Sequence, residues 1–226
     1  MATKFYVGLD LGQVQDYTAI VVQEKTDGRY KVRWLERPDL GTKYPEIVDR
    51  VKEILSSPAI RGASLVIDRT GCGRPVFDMF EKARLNPIGI SIHGGDSVNH
   101  EGKSWKVPKR DLVGCMQVHL QNKTWQVSSK LKLGETLSRE MLNFRQKIDP
   151  ITAHDSYSAW RESEHDDLIL AAAVATWWGE REPKPLPRLV FVLPMPTQAQ
   201  LIHQAQARVE KPNFERQSFH EFLPPH

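Results

Sequence analysis

Three acidic positions carry the chemistry open to this chain: Asp10 in FYVGLDLG, Asp68 in SLVIDRTGCG, and the adjacent Asp166 and Asp167 in EHDDLILAAAVATWW. Asp10 and Asp68 follow short apolar runs that read as buried strands, and the acidic pair opens a long apolar helix. Carboxylates held by rigid elements are suited to hard cations, and oxygen ligands without thiolates favour Mg²⁺ or Mn²⁺ over zinc. Brought together they repel one another unless cations neutralise them. Two such ions about 3.5–4 Å apart can activate a water and stabilise the leaving oxygen in phosphodiester cleavage. Each acid also has a plain structural reading, Asp10 and Asp68 as turn formers and Asp166 and Asp167 as helix caps. Their joint order along the chain is what points to a metal site.

The elements that must position these acids follow from the apolar periodicity. Lys4 to Asp10, Tyr17 to Gln23 and Arg29 to Glu36 read as three consecutive antiparallel strands, with an Asp27-Gly28 turn before the third. Tyr44 to Ser57 has helical spacing and crosses over to a fourth strand, Ser64 to Ile67. A helix over Pro75 to Arg84 and a fifth strand over Pro87 to Ile92 come next. The polar stretch from His93 to Val107 reads as a long loop. Helices over Pro108 to Gln121, Leu131 to Gln146 and Glu164 to Trp178 complete the pattern, with a short strand near Trp125 and an extended piece from Ile151 to Trp160. The β-β-β-α-β order implies a mixed sheet with helices on its faces, with the ends of the first and fourth strands side by side and Asp10 facing Asp68.

A chain of 226 residues can hold one sizeable core. The expected division is a domain over residues 1–180 and a proline-rich tail or docking segment over 181–226. Cys72 and Cys115 fit neither a disulfide framework nor a zinc pattern. The net charge of +3 permits a nucleic-acid partner without arguing for one. No apolar run reaches the roughly 20 residues of a membrane span, and MATKFYVG has no signal-peptide core, so the expectation is a cytoplasmic protein without membrane contact.

Taken in order, GLDLGQVQDYTAIVV, VIDRTGCGRPVFD, WKVPKRDLV and HDDLILAAAVA resemble the nuclease domain of the large terminase subunits of tailed bacteriophages, over about residues 4 to 178. The resemblance implies an α/β ribonuclease H-like fold, with a mixed sheet of five or more strands and flanking helices. It implies a metal-dependent endonuclease that cuts double-stranded viral DNA during genome packaging in the host cytoplasm, with two Mg²⁺ or Mn²⁺ ions and little sequence specificity. Asp10, Asp68 and Asp167 match the catalytic, metal-binding acids; Asp166 stands beside them as an alternative or auxiliary ligand. The implied partners are duplex DNA, a packaging ATPase domain or subunit, the portal and the small terminase subunit. Whole large terminases carry an ATPase domain, yet no GxxxxGK[ST] phosphate loop occurs here. The expectation is therefore an excised domain or a separate nuclease gene product that does not itself hydrolyse ATP.

Lys103, Lys106, Lys109 and Arg110 cluster where cations could hold a DNA phosphate, against the alternative of a solvated basic face. Trp105 could pack on DNA or clasp its own loop. His165 and Arg69 are auxiliary candidates, the one beside the acidic pair and the other next to Asp68. Asp16 could approach as a supporting group, and Glu135, Glu140 and Asp155 are spare acids. Competing functions are another ribonuclease H-like nuclease such as a Holliday-junction resolvase, a non-cleaving packaging-motor docking module, and an actin-like ATPase suggested by GLDLG alone. The last lacks a second glycine-rich phosphate turn.

Overall fold

Strand β1 (Lys4–Asp10) lies at the centre of an eight-stranded mixed sheet. The computed structural model describes residues 3–12, 16–146 and 166–183, within a compact unit that runs to Pro183. The expected extended piece from Ile151 to Trp160, His165, Asp155 and the tail beyond Pro183 lie outside the described residues. Strand β2 (Ala19–Thr26) runs antiparallel to β1, and β3 (Arg29–Glu36) antiparallel to β2. The turn between β2 and β3 holds Asp27 at φ 53° and Gly28 at φ 73°. Two positive φ angles match the twist of a two-residue hairpin, and the Asp-Gly pair adopts them readily.

Helix α1 (Tyr44–Ser56) carries the chain to β4 (Ser64–Asp68), which pairs parallel with β1. Helix α2 (Gly73–Lys82) leads to β5 (Ile88–His93), parallel to β4. The segment read as a long polar loop is instead a β-hairpin, β6 (Asn99–Glu101) and β7 (Ser104–Pro108), with β7 parallel to β5. Its polar sequence hid the strands because β6 is an exposed edge strand with no apolar face to reveal it. Helix α3 (Lys109–Gln121), a two-residue strand β8 (Trp125–Gln126) and α4 (Gly134–Gln146) follow, and α5 (Asp167–Arg181) is the last described helix. The strand order is β6-β7-β5-β4-β1-β2-β3-β8.

The sheet separates two cores, as its two-residue side-chain alternation requires. On one face Val7, Leu9, Ile20, Leu65 and Ile67 pack with α1 and α2. On the other, Tyr6, Val21, Tyr30 and Val66 meet α5, together with residues of α3 and Leu137 of α4. Helix α5 is buried on nearly every side: Leu168, Ile169, Val174 and Trp177 are fully enclosed, each contributing about 1.5–3 kcal/mol by removal from water. Arg181 and Glu182 still belong to this unit, so the helix runs three residues past the expected end at Trp178. No described helix is long and apolar enough to cross a membrane.

Candidate carboxylate site

Asp10 and Asp68 are direct partners in the register of the parallel pair β1 and β4. Both close their strands at the carboxyl end, the edge where open α/β sheets form their binding crevices. Alternation also gives them a common face. Gly8 lies against α5 and Val66 belongs to the core on that side, and the acids follow each by two residues. Asp68 is buried, and its Oδ1 accepts hydrogen bonds from the backbone N–H of Thr70 (2.8 Å) and from the Thr70 hydroxyl. That hydroxyl in turn accepts the Ile92 N–H at 2.8 Å, so Asp68 is tied to the end of β5. The turn-forming role of Asp68 and its place at the rim are therefore compatible.

Helix α5 brings the acidic pair to the same edge because it runs antiparallel to β1. Its approach is close: a Cβ at Gly8 would fall 1.9 Å from the Ala171 carbonyl oxygen and 3.0 Å from the Ala175 Cβ. Only glycine on the strand and small residues on the helix permit that spacing. The far end is pinned by Glu182, which accepts from Lys4 Nζ (2.7 Å), the Tyr6 hydroxyl (2.8 Å) and the Ser64 hydroxyl (3.0 Å). With Glu182 anchored at the start of β1, the helix N-terminus falls at the end of β1. Asp166 occupies the N-cap position, and Asp167, buried, begins the first turn, where the helix dipole favours negative charge.

Two further charged groups complete the cluster. Arg37 follows β3, which runs parallel to β1 and so ends at the same rim. Its Nη2 donates to Glu140 Oε1 at 2.5 Å and forms an ion pair with Asp167 Oδ2 at 3.1 Å. Glu140 Oε2 accepts the Ile169 N–H at 3.0 Å, satisfying one donor of the first turn of α5. Burial pushes the Glu140 carboxyl up to about 7 against the pull of Arg37 and the Ile169 N–H, with Asp167 adding to the rise. Burial also pushes Asp10 well above the ordinary carboxylate range, and Asp68, Asp167, Asp166 and Asp16 each push it further.

The backbone register and the course of α5 bring Asp10, Asp68, Asp166 and Asp167 to one sheet edge. Their donor set is all carboxylate oxygen, which fits Mg²⁺ or Mn²⁺ in chemistry and charge. Among the described residues, no group of three or more His, Cys, Asp or Glu side chains stands at ligand spacing. A cleft of about 410 Å³ begins two residues beyond Asp10, between Gly12, Asp16 and Thr18 on one side and the segment from Asp39 to Pro45 on the other.

The cationic candidates separate along β7. Lys109 begins α3 at the carboxyl end of β7, on the rim of the acids. Arg110 beside it is engaged by Asp96, through an ion pair at 2.5 Å and a donation to the Asp96 carbonyl oxygen at 2.8 Å. Lys106 is exposed in mid-strand. Lys103 precedes β7 at the opposite end of the sheet, where its ammonium donates to the Asn86 side chain. Arg69 projects to the α2 face, over the Phe77 ring at 4.5 Å, and donates to the Ser104 hydroxyl at 2.7 Å. Trp105 clasps its own hairpin, stacked on His100 at 4.3 Å and edge-on to Trp177 and Trp178 at 5.7 and 5.8 Å.

Sequence reasoning missed Arg37 and left Glu140 among the spare acids. A signal existed for Glu140: it lies on the apolar stripe of α4 with Leu137 and Met141, where a charge must find a buried partner. For Arg37 the signal was only its place directly after a strand that ends at the rim.

By sequence, no protein-family model matches the chain and no curated protein is similar to it. Solved structures are similar in fold. The large terminase nuclease of the thermophilic phage G20c superposes with a TM-score of 0.53 at 18% identity, over 79% of this chain and 82% of that one. The nuclease domain of the Thermus phage P74-26 large terminase gives 0.51 at 18%, over 81% and 82%. The human cytomegalovirus terminase nuclease domain gives 0.50 at 14%, over 78% and 82%. The large terminase of a further thermophilic bacteriophage gives 0.51 at 12%, over 78% of this chain and 39% of that longer one. Identities this low speak for architecture alone, and on that ground this chain has the mixed-sheet, ribonuclease H-like α/β fold of the terminase nuclease domains.

Proposed function

We propose that this chain is a divalent-metal-dependent endonuclease that hydrolyses phosphodiester bonds of double-stranded DNA during viral genome packaging, with little sequence specificity. The observation that supports this best is the in-register pairing of Asp10 with Asp68, on the face where the N-terminus of α5 delivers Asp166 and Asp167. Asp10, Asp68 and Asp167 would hold two Mg²⁺ or Mn²⁺ ions, with Asp166 beside them. When bound, such ions supply a water acidified toward neutral pH and charge neutralisation at the phosphate. The protein's part is placement: Thr70 holds the Asp68 carboxylate, Arg37 and Glu140 hold the approach of Asp167, and the rigid β1–β4 pair fixes Asp10 against Asp68.

Similar folds lend the metal reading support, since one G20c terminase nuclease structure contains bound magnesium and the cytomegalovirus structure was soaked with manganese. Lys109, with Lys106 and Arg110 nearby, would position the DNA backbone through phosphate contacts, which carry no base information. The longer large terminase of the thermophilic bacteriophage supports a packaging context, with an ATPase domain or subunit, the portal and the small terminase subunit as partners in the host cytoplasm. The proline-rich segment would dock to one of them.

A plasmid-nicking assay with Mg²⁺ or Mn²⁺ tests the proposal. Asp10→Asn, Asp68→Asn and Asp167→Asn are each expected to slow cleavage by at least about 10²-fold, the range for losing one preorganised electrostatic group. Variants that cut as fast as wild type would show the site to be wrong. Strong preference for a four-way junction over linear and supercoiled duplex would replace packaging with junction resolution.

A further inference from the structure

The Arg37 guanidinium stands between two buried carboxylates. Its side chain is only 13% exposed, and one nitrogen, Nη2, reaches both Glu140 Oε1 at 2.5 Å and Asp167 Oδ2 at 3.1 Å. Tyr17 flanks it, with the guanidinium carbon 5.0 Å from the ring centroid. Glu140 is the fixed member of the trio, because its other oxygen accepts the Ile169 N–H. A cation this enclosed must stay with an anion, since leaving it buried and unpaired is strongly unfavourable.

We propose that Arg37 is a counter-cation shared between Glu140 and Asp167, so that a divalent cation arriving at Asp167 displaces the guanidinium from Asp167 and leaves it on Glu140 alone. The inference rests on the reading of Asp10, Asp68 and Asp167 as metal-holding acids. The Arg37–Glu140 pair then sets how tightly the site takes metal. Arg37 competes with a divalent cation because both neutralise the same carboxylate and repel each other at short range. Glu140 eases that competition by keeping the guanidinium paired once Asp167 is taken. Both are positioning residues that act through Asp167.

The test is Mn²⁺ binding to the full 226-residue chain by titration calorimetry without DNA. Arg37→Gln is expected to tighten binding by about tenfold and Glu140→Gln to weaken it by about tenfold, a coupling in the range for charges in one network. The double variant is expected to bind like Arg37→Gln, because the amide in Glu140→Gln can still accept the Ile169 N–H and the main loss is a partner that Arg37 no longer needs. A purely packing role would weaken binding in both single variants, and that result, or no change in either, overturns the proposal. Should Arg37→Gln fail to fold, the double variant removes the Glu140 charge that Arg37 would leave behind, and its tighter binding than wild type supports the proposal while equal or weaker binding overturns it. Asp10→Asn separates the two readings. If it binds Mn²⁺ like wild type, the carboxylate site itself fails; if it loses binding while removal of Arg37 does not tighten it, the present inference alone fails.

Discussion

Burial and four neighbouring carboxylates all disfavour the charged form of Asp10. A raised carboxyl means that the folded chain binds a proton more tightly than the unfolded one. Its contribution therefore falls as pH rises above the ordinary value of 3.8. In chelator at neutral pH, Asp10→Asn is expected to melt at a higher temperature than wild type, with the difference shrinking toward pH 4. Thermal melts across that range check this, and an Asn variant that melts lower at pH 7 would contradict it. Such a trade of stability for a charged site is typical of functional residues. Arg37 behaves oppositely: removing it alone leaves Glu140 buried without its cation, at a cost of about 3–5 kcal/mol.

Helix α5 is the element on which the site depends, and it is held at both ends. Gly8→Ala pushes a methyl into the Ala171 carbonyl. Overpacking of that kind costs about 1–3 kcal/mol, and because the displaced helix carries Asp167, nicking should fall further than stability explains. Activity and denaturant midpoint measured on one preparation decide it. At the other end, burial raises the Glu182 carboxyl, but hydrogen bonds from Lys4, Tyr6 and Ser64 outweigh it and hold the group below its ordinary 4.5. That stabilisation is present above pH 4.5 and lost as pH falls through the lowered value. Glu182→Gln should thus destabilise the chain at neutral pH and flatten its acid limb; an unchanged acid limb would mean the anchor is not Glu182.

Across the whole molecule a net charge of +3 is too small to draw DNA by itself, so binding must depend on where cations sit. Of the cationic candidates, Lys109, Arg110 and the nearby Lys106 approach the rim of the acids, and Arg110 is already shared with Asp96. Duplex affinity measured in Ca²⁺ should therefore fall with salt at a log–log slope of about −0.9 per phosphate contacted. Lys109→Ala should make that slope shallower and Lys103→Ala should leave it unchanged, because Lys103 lies at the opposite sheet end. An equal effect from both would relocate the DNA path.

Much of this architecture was readable from local pattern. The strands carrying Asp10 and Asp68, the Asp27-Gly28 turn, the crossover helix and the apolar helix after Asp166 follow from periodicity and turn chemistry, which act within a few residues. So does the adjacency of the first and fourth strands, because connection rules leave few alternatives. The β6–β7 hairpin was not legible: its pairing depends on β5 offering an edge and on Trp105 finding Trp177 and Trp178 on the sequence-distant α5. Nor was the Arg37–Glu140–Asp167 cluster, whose members come from the end of β3, α4 and α5 and meet only after the sheet has been covered. Which carboxylates stand at the ends of rigid elements could be read along the chain, since that is a matter of local propensity. Tertiary structure alone decided which charges face them, because burial and electrostatic coupling depend on distance in space rather than along the chain.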